Sequence, residues 1–292
     1  ARHLEAAESE EAAGALASHY LAAFHASEEG PEADAVAAQA RVSLRAAAER
    51  AASLGAFSQA VRNLEHAIEL TADPRGRYEL LERATEFGRA AGHNDGVRCG
   101  RLAVDAALQL DDPGAVVRAR AVLADALMDV DDVGEAVEIL EAVAAEVDQR
   151  PDSIPVDALA LLWAVHSRGE MRADRHDSAI VSADRALVIA ERETLDVITA
   201  TALVNKGAAM SNAGRSREGI ALLSGAVDLA EQIGAWHLEL RARSNLGRTQ
   251  SEYDALRAME TVAAGLQLAE RVGDQAGEGR QPRCRGDPLH RH

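Results

Sequence analysis

The stretch from Leu44 to Leu70, LRAAAERAASLGAFSQAVRNLEHAIEL, contains the pattern that decides the fold. Four of its positions are separated by 12, 4 and 3 residues: Ala48, Ala60, Leu64 and Ala67. Residues three, four and seven apart lie on one face of an α-helix, so the last three positions mark a single helix face. A Leu-Gly pair at residues 54 and 55 supplies a turn before that helix. The stretch therefore predicts two helices joined by a short turn.

The same four-position pattern recurs along the chain. Five further sets follow: Gly88, Gly100, Val104 and Ala107; Ala124, Ala136, Leu140 and Val143; Ser167, Ala179, Ala183 and Ala186; Gly207, Gly219, Leu223 and Ala226; Gly247, Ala258, Val262 and Gly265. Only the last set shortens the first interval, to 11 residues, and the third positions advance by 40, 36, 43, 40 and 39 residues. The sequence thus predicts six copies of a helix pair. Small residues at the crossing let two antiparallel helices approach closely, and we expect Leu64, Leu140 and Leu223 to fill the groove beside it.

Proline placement agrees with this division, because a proline inside a helix costs about 3 kcal/mol. Five of the seven prolines fall between copies: Pro31, Pro74, Pro113, Pro151 and Pro155. The chain also contains 63 alanines and only 3% aromatic residues, a composition that favours closely packed helices.

The charge balance excludes some partners. Lys and Arg number 31 against 48 Asp and Glu, giving a formal net charge of −17. We therefore expect this chain to bind neither nucleic acid nor an anionic membrane surface, both of which select a basic face. Its two cysteines are far apart in the sequence, which favours a reducing cytoplasm.

The helix pairs resemble the tetratricopeptide repeat (TPR), whose signature places small and aromatic residues at fixed positions over about 34 residues. The stretches that carry the resemblance are LVNKGAAMSNAGRSREGIALLSGAVDLAEQIG, from Leu203 to Gly234, and the run from Leu44 to Pro74, while Trp163 stands at the tryptophan position of the fourth copy. The longer spacing is similar to that of TPR variants in bacterial signalling ATPases. This resemblance implies an all-α, TPR-like α-solenoid of about six antiparallel helix pairs in a right-handed superhelix. A HEAT or armadillo solenoid, with a period of about 40–47 residues, is the alternative architecture.

A second resemblance concerns the N-terminal segment. The residues ASHYL at 17–21 and EGPEADA at 29–35 look like the segment that joins an ATPase module to its repeats in large bacterial regulators. Such regulators include class III adenylate and guanylate cyclases fused to an AAA-type ATPase, and LuxR-type ATPase regulators. We accordingly expect the chain to be a fragment of a longer protein, with a helical linker or cap at 1–40. The repeats then occupy 41–273, divided near 41–74, 75–113, 115–150, 156–193, 195–234 and 235–273.

The last part of the chain, 274–292, breaks every earlier trend. Its sequence from residue 279, GRQPRCRGDPLHRH, is rich in Arg, Pro and His and contains no alanine. We expect this tail to be disordered. Either a native terminus or a shifted reading frame accounts for its composition, and the second is favoured.

No catalytic motif is found in the sequence. It contains no phosphate-binding G-x4-G-K-[ST] loop, no H-E-x-x-H motif and no G-x-S-x-G nucleophile elbow. The histidines are scattered among the repeats, and the aspartates around residue 131 lack the spacing of a calcium loop. We therefore expect a chain that is not an enzyme and that uses no metal and no cofactor.

The TPR resemblance implies that the first helices of the copies line a concave groove. Carrying the family positions onto this sequence gives ten candidate partner-binding residues: Arg45, Glu49, Glu82, Arg89, Asp125, Arg168, Asn205, Arg241, Asn245 and Arg248. Of these, Arg89, Arg168 and Arg248 recur at one repeat position, which predicts that they face the same side and hold an acidic segment or a phosphorylated effector. The alternative is that Glu82 and Asp125 neutralise them as exposed ion pairs.

Together these features predict a non-catalytic module that binds a protein, a peptide or a small effector. The N-terminal resemblance implies the sensor region of a bacterial signalling ATPase or nucleotide cyclase. The sensor of a LuxR-type transcriptional regulator and a plain assembly scaffold remain alternatives. Self-association through an uncapped C-terminal repeat is also expected, because solenoids need a polar cap to stay soluble.

Overall fold

The computed structural model describes residues 17, 19–24, 26, 30–92, 94–150 and 153–278, with side chains as far as residue 272. From residue 30 onward the described residues form twelve helices. They are α1 (Pro31–Ser53), α2 (Phe57–Glu69), α3 (Pro74–Ala90), α4 (Asp95–Leu108), α5 (Pro113–Asp129), α6 (Val133–Gln149), α7 (Val156–Arg172), α8 (His176–Arg192), α9 (Asp196–Asn212), α10 (Ser216–Gln232), α11 (Trp236–Gln250) and α12 (Ala255–Glu278). They pair in chain order into six copies, each with a first and a second helix.

Local sequence signals set the helix ends. Pro31, Pro74 and Pro113 each occupy the first turn of a helix, where the missing N–H leaves no hydrogen bond unmade. Ahead of the second and third of these prolines, Asp73 accepts a hydrogen bond from the Gly76 amide at 2.7 Å, and Asp112 caps α5 in the same way. These caps are why copies 2 and 3 begin where the prolines predict.

Within a copy the two helices cross at the predicted small residues. The Ser167 hydroxyl donates to the carbonyl oxygen of Ala179 at 2.7 Å, which joins α7 directly to α8. In copy 5, a Cβ added at Gly219 would lie 2.7 Å from the carbonyl oxygen of Gly207, so this crossing requires glycine. The groove leucines are buried as predicted, with exposed fractions of 1%, 1% and 0% for Leu64, Leu140 and Leu223. The repeat register is therefore confirmed.

Successive copies stack in a regular way. Each second helix packs against the first helix of the following copy, and from α3 onward each first helix also contacts the next first helix. No strand occurs among the residues described. The fold is all-α, a TPR-like α-solenoid of six helix pairs, as the sequence predicted.

The first helix of the array starts inside the segment that the sequence assigns to a helical linker or cap. Helix α1 begins at Pro31, because the proline and the first-turn acids Glu32 and Asp34 favour a helix start there. Helix α12 continues to Glu278. The predicted disordered tail lies from residue 279 onward outside the described residues.

The last helix leaves an apolar face uncovered. Leu256, Val262 and Leu266 on α12 are 75%, 47% and 61% exposed among the residues that the structure describes. None of the helices described combines the length and the apolar composition that a bilayer crossing requires.

Candidate functional site

The inner surface of the solenoid is formed by the first helices, which lie side by side from α3 to α11. Because successive copies are slightly rotated, their inward side chains converge as the superhelix turns. Charged residues from α3, α5 and α7, about 40 residues apart in the sequence, meet on this surface. The inner surface is therefore the candidate functional site.

Four of these residues form what we term the inner network: Arg89, Asp125, Asp129 and Arg168. Arg89 donates from Nη2 to Asp125 at 2.6 Å and from Nε to Asp129 at 2.7 Å. From the other side, Arg168 donates to Asp125 at 2.5 Å and to Asp129 at 2.7 Å. Each aspartate is thus shared by two arginines, and the network joins copies 2, 3 and 4.

Burial and charge act in opposite directions on the pKa values of this network. Burial by itself raises the pKa of Asp125, but the charges of Arg89 and Arg168 outweigh it and hold the pKa well below its usual range. Burial likewise tends to lower the pKa of Arg168, and the two carboxylates raise it above its usual value. Asp125 and Arg168 are therefore both charged at neutral pH.

A fifth charged residue, Arg241 on α11, lies beside this network. Its Nη2 donates to Oδ1 of Asn205 at 3.2 Å, and the Asn205 amide donates in turn to the carbonyl oxygen of Ala164 at 2.8 Å. The Nε of Arg241 is buried and has no hydrogen-bond partner among the described residues. No carboxylate of the described chain forms an ion pair with it.

The surroundings of Arg241 carry an excess of positive charge. Burial lowers the pKa of Arg241 to about 10, with a further lowering by Arg168 and Arg89 that the aspartates do not offset. The pKa of the neighbouring His237 is also lowered, first by burial and then by the positive charges of Arg89 and Arg241. His237 itself is exposed to solvent. We term this positively charged part of the inner surface, around Arg241 and His237, the recess.

The superhelix closes on itself beside this recess. Phe57, at the start of α2 in copy 1, contacts Trp236, at the start of α11 in copy 6, with ring centroids 5.8 Å apart. Phe57 also lies 6.3 Å from the ring of Phe87 on α3. Ala269 and Val272 of α12 line the same small cavity. The six copies therefore complete about one turn.

The structure does not bring all ten predicted residues together. Arg89, Asp125, Arg168, Asn205 and Arg241 meet, whereas the others lie elsewhere. Glu49 is exposed and pairs with Arg83 through two hydrogen bonds of 2.8 and 2.6 Å. Arg45 is exposed on the same helix.

Three further predicted residues have local partners. Glu82 lies 3.6 Å from Arg118 rather than beside Arg89, because it precedes Arg89 by about two helical turns on α3. Asn245 donates to the carbonyl oxygen of Arg241 within its own helix. Arg248 donates to Asn212 at 3.1 Å.

The alternative interpretation of the arginines expected Glu82 and Asp125 to neutralise them as exposed pairs. Asp125 does pair with Arg89 and Arg168, but Glu82 pairs with Arg118 instead. The partners of Arg89 and Arg168 are Asp125 and Asp129, and the Asp125–Arg168 pair is buried, with side-chain exposures of 12% and 10%. The recurring repeat position brings Arg89 and Arg168 onto shared aspartates, but Arg248 binds a neutral amide instead.

A second polar cluster lies between α7 and α8. His166 Nδ1 is 3.1 Å from the Ser182 hydroxyl, and that hydroxyl donates to Glu170 at 2.7 Å. A nucleophilic serine needs its proton directed to a base on one imidazole nitrogen, with the acid on the other. Here the serine and the carboxylate share Nδ1, so the cluster is a buried structural contact. Across the described residues, no group of His, Cys, Asp and Glu is arranged to hold a metal ion.

Sequence reasoning missed three parts of the site. Asp129 is not among the ten candidates, although it follows Asp125 by one helical turn on the same face. His237 was treated as one of the scattered histidines, and Phe57 and Trp236 belong to copies that are distant in the sequence. Of these residues, only Asp129 could have been found from the sequence, by its spacing from Asp125. The contact between Phe57 and Trp236 depends on the rotations at all five junctions between the six copies.

Comparison with known proteins supports the fold. The structure of a Rap protein complexed with competence and sporulation factor is 12% identical, has a TM-score of 0.55, and aligns over 92% of this chain and 93% of its own. Aspartyl phosphate phosphatase F from Bacillus subtilis is 11% identical and has a TM-score of 0.58. The alignment covers 88% of this chain and 71% of the phosphatase. A signal transduction ATPase from Pyrococcus horikoshii with a tetratricopeptide repeat sensor is 15% identical, with a TM-score of 0.49 and coverage of 86% and 42%.

At these identities the first two likenesses show the fold alone, and the third, with a TM-score below 0.5, supports no argument. No protein-family model matches the chain, and no curated protein matches it.

Proposed function

We propose that this chain is a non-catalytic binding module whose inner surface holds a peptide, a segment of a protein or a small effector. The observation that carries the proposal is the convergence of Arg89, Asp125, Arg168 and Arg241 from four copies onto one enclosed surface. Repeat arrays use such concave surfaces for binding. The similar fold of the Rap protein was solved in complex with competence and sporulation factor, which is consistent with this use.

The chemistry of the surface favours binding over catalysis. Asp125 and Arg168 pair with each other, and their pKa values move away from neutrality rather than towards it. A general acid or base works best with a pKa near the operating pH. His237, whose pKa is lowered, has no carboxylate partner that would orient it among the contacts of the described residues. We infer that the surface recognises a partner without transforming it.

Within a longer protein, we propose that the array is a regulatory sensor in the bacterial cytoplasm, attached through the segment at 1–40 to a signalling ATPase or nucleotide cyclase. The resemblance of residues 17–21 and 29–35 to such linkers supports this role. A LuxR-type regulator and a plain scaffold are the alternatives. Sequencing the coding DNA upstream of Ala1 tests it: an ATPase phosphate-binding loop or a cyclase domain supports a sensor, and a DNA-binding helix-turn-helix favours the LuxR alternative.

A random peptide library displayed on phage tests the binding function. Peptides selected on the unmodified protein should lose about tenfold or more in affinity when His237→Trp fills the recess. The matched control is Val188→Trp on the outer helix α8, where the side chain is 71% exposed, and it should leave the affinity unchanged. Selected peptides that bind both variants equally well would contradict the proposal.

We also infer that the apolar face of α12 associates with a second copy of the chain. Contiguous exposed apolar side chains at the end of a solenoid favour such contacts. Sedimentation velocity should show a concentration-dependent dimer that Leu256→Glu abolishes. A monomer at all concentrations would rule this out.

A further inference from the structure

A cavity of about 540 Å³ opens between the second helices α6 and α8, on the side of the array away from the inner network. Trp163 lies at its base, on the first helix α7, which packs against both of these helices. The apolar walls are formed by Val147, Leu159, Val181, Val188 and Ile189. Pockets that hold small ligands have volumes of roughly 300–1,000 Å³ and are lined mainly by apolar and aromatic side chains. The outer cavity therefore has the size and the lining of a ligand site.

The ring of Trp163 already has a cation over its face. The guanidinium carbon of Arg185, on α8, lies 4.4 Å from the centre of that ring. Nη1 of the same arginine is 3.6 Å from Oδ1 of Asp148 on α6. A guanidinium is attracted to the face of an indole ring, and a carboxylate beside it adds charge attraction. The chain's own arginine thus indicates which chemical group this cavity suits.

Arg185 is held loosely enough to be replaced. Its side chain is 50% exposed, and its distance to Asp148 is longer than a hydrogen bond. The other carboxylate at the cavity, Asp184, is bound by Lys206 at 2.5 Å, so Asp148 is the carboxylate that a further cation can reach. A ligand cation that displaced Arg185 into solvent would leave the charge balance of the cavity unchanged.

We propose that the outer cavity binds the alkylguanidinium group of a ligand, which takes the place of Arg185 over Trp163 and pairs with Asp148. The planar cation would stack on the ring, its N–H groups would donate to the carboxylate, and its alkyl chain would lie against the apolar walls. The formal net charge of −17 favours the approach of a cation. The arginine side chain of a partner protein and a small free guanidine both carry this group. The cavity is separate from the inner surface, so the inference goes beyond the proposed binding function.

Saturation-transfer-difference nuclear magnetic resonance with butylguanidinium tests the proposal at constant ionic strength. One stacked cation beside one exposed carboxylate should give a dissociation constant on the order of 1 mM, which is too weak for the phage selection to retain. Butylurea is a neutral ligand of the same shape, and it should bind about threefold more weakly or worse. A tripeptide with a central arginine and blocked ends is titrated in parallel. Tighter binding of the tripeptide assigns the group to a partner protein, and tighter binding of butylguanidinium assigns it to a free small molecule.

The variant that separates a binding site from a merely structural contact is Arg185→Ala. It removes the internal competitor from Trp163, so butylguanidinium should bind about three- to tenfold more tightly. Asp148→Asn should weaken the binding about threefold, because the carboxylate charge is lost. The matched controls are Arg217→Ala and Asp228→Asn, which make the same charge changes at exposed positions on α10 and should bind like the unmodified protein.

Trp163→Leu should abolish the binding, and circular dichroism establishes whether this variant of a buried residue is folded. If it is not, Arg185→Ala and Asp148→Asn still decide the question, because both positions are exposed. The proposal is overturned if butylguanidinium and butylurea bind equally well. It is also overturned if Arg185→Ala gains no affinity over Arg217→Ala. Either failure leaves peptide binding at the inner surface unaffected, so it is distinguishable from a failure of the proposed function.

Discussion

Replacing Asp125 with alanine should destabilise the array more than any change to an exposed ion pair. Asp125 accepts hydrogen bonds from Arg89 at 2.6 Å and from Arg168 at 2.5 Å, and its side chain is 12% exposed. Removing one partner of a buried ion pair costs about 3–5 kcal/mol, because the remaining charge is left without compensation. Asp129 keeps one bond to each arginine, so we expect a loss at the lower end, about 3 kcal/mol.

Urea unfolding followed by circular dichroism measures this loss, with the slope of the transition compared between variants. The matched control is Glu49→Ala, which breaks an exposed pair with Arg83 and should cost about 0–1 kcal/mol. A loss for Asp125→Ala no greater than that for Glu49→Ala would refute the reasoning that the inner network stabilises the superhelix.

The contribution of Asp125 to the stability of the array should depend on pH. Because the folded pKa of Asp125 lies below its unfolded value, its contribution is fully present above the unfolded pKa of about 3.9. The contribution is lost as the pH falls through the folded pKa. The stability difference between the unmodified protein and Asp125→Asn should therefore be constant near neutral pH and shrink below about pH 4. A difference that shrinks between pH 8 and pH 6 would contradict this assignment.

Three further stability predictions concern the repeats. Leu223→Ala removes a fully buried side chain beside Gly207 and should cost about 2–5 kcal/mol in urea unfolding; a neutral result would contradict the helix register. Ala60→Leu inserts bulk at a fully buried crossing and should cost about 1–3 kcal/mol, whereas the same change at exposed Ala46 should be neutral. Thr194 has a φ of 53°, which is unfavourable for a β-branched residue, so Thr194→Gly should raise the stability by about 0.5–1 kcal/mol; a lower melting temperature would contradict this.

The helix pairs could be predicted because their signals are local. Spacings of 3, 4 and 12 residues place Ala60 and Leu64 on one helix and oppose them to Ala48 on the preceding helix. Turn and proline positions limit where these helices end. The burial of Leu64, Leu140 and Leu223 follows from this register and needs no knowledge of the whole molecule.

The site could be predicted only in part, because it depends on long-range geometry. The structure brings together five of the ten residues that the family positions select: Arg89, Asp125, Arg168, Asn205 and Arg241. Which carboxylate each arginine binds depends on side-chain rotamers and on the angle between neighbouring copies.

Closure of the array was beyond sequence reasoning for the same reason. The contact between Phe57 and Trp236 joins residues 179 positions apart, and it results from small rotations that accumulate over successive copies. No repeating pattern in the sequence gives the total rotation from the first copy to the last.

The most direct test of the central claim, that the partner binds on the inner surface, is the position of its contact. His237 is replaced by the photoreactive residue benzoylphenylalanine, and in a second variant Val188 on the outer surface is replaced in the same way. After irradiation with a library-selected peptide, mass spectrometry identifies the cross-linked product. We expect an adduct from position 237 and none from position 188. An adduct from position 188 with none from position 237 would contradict the account.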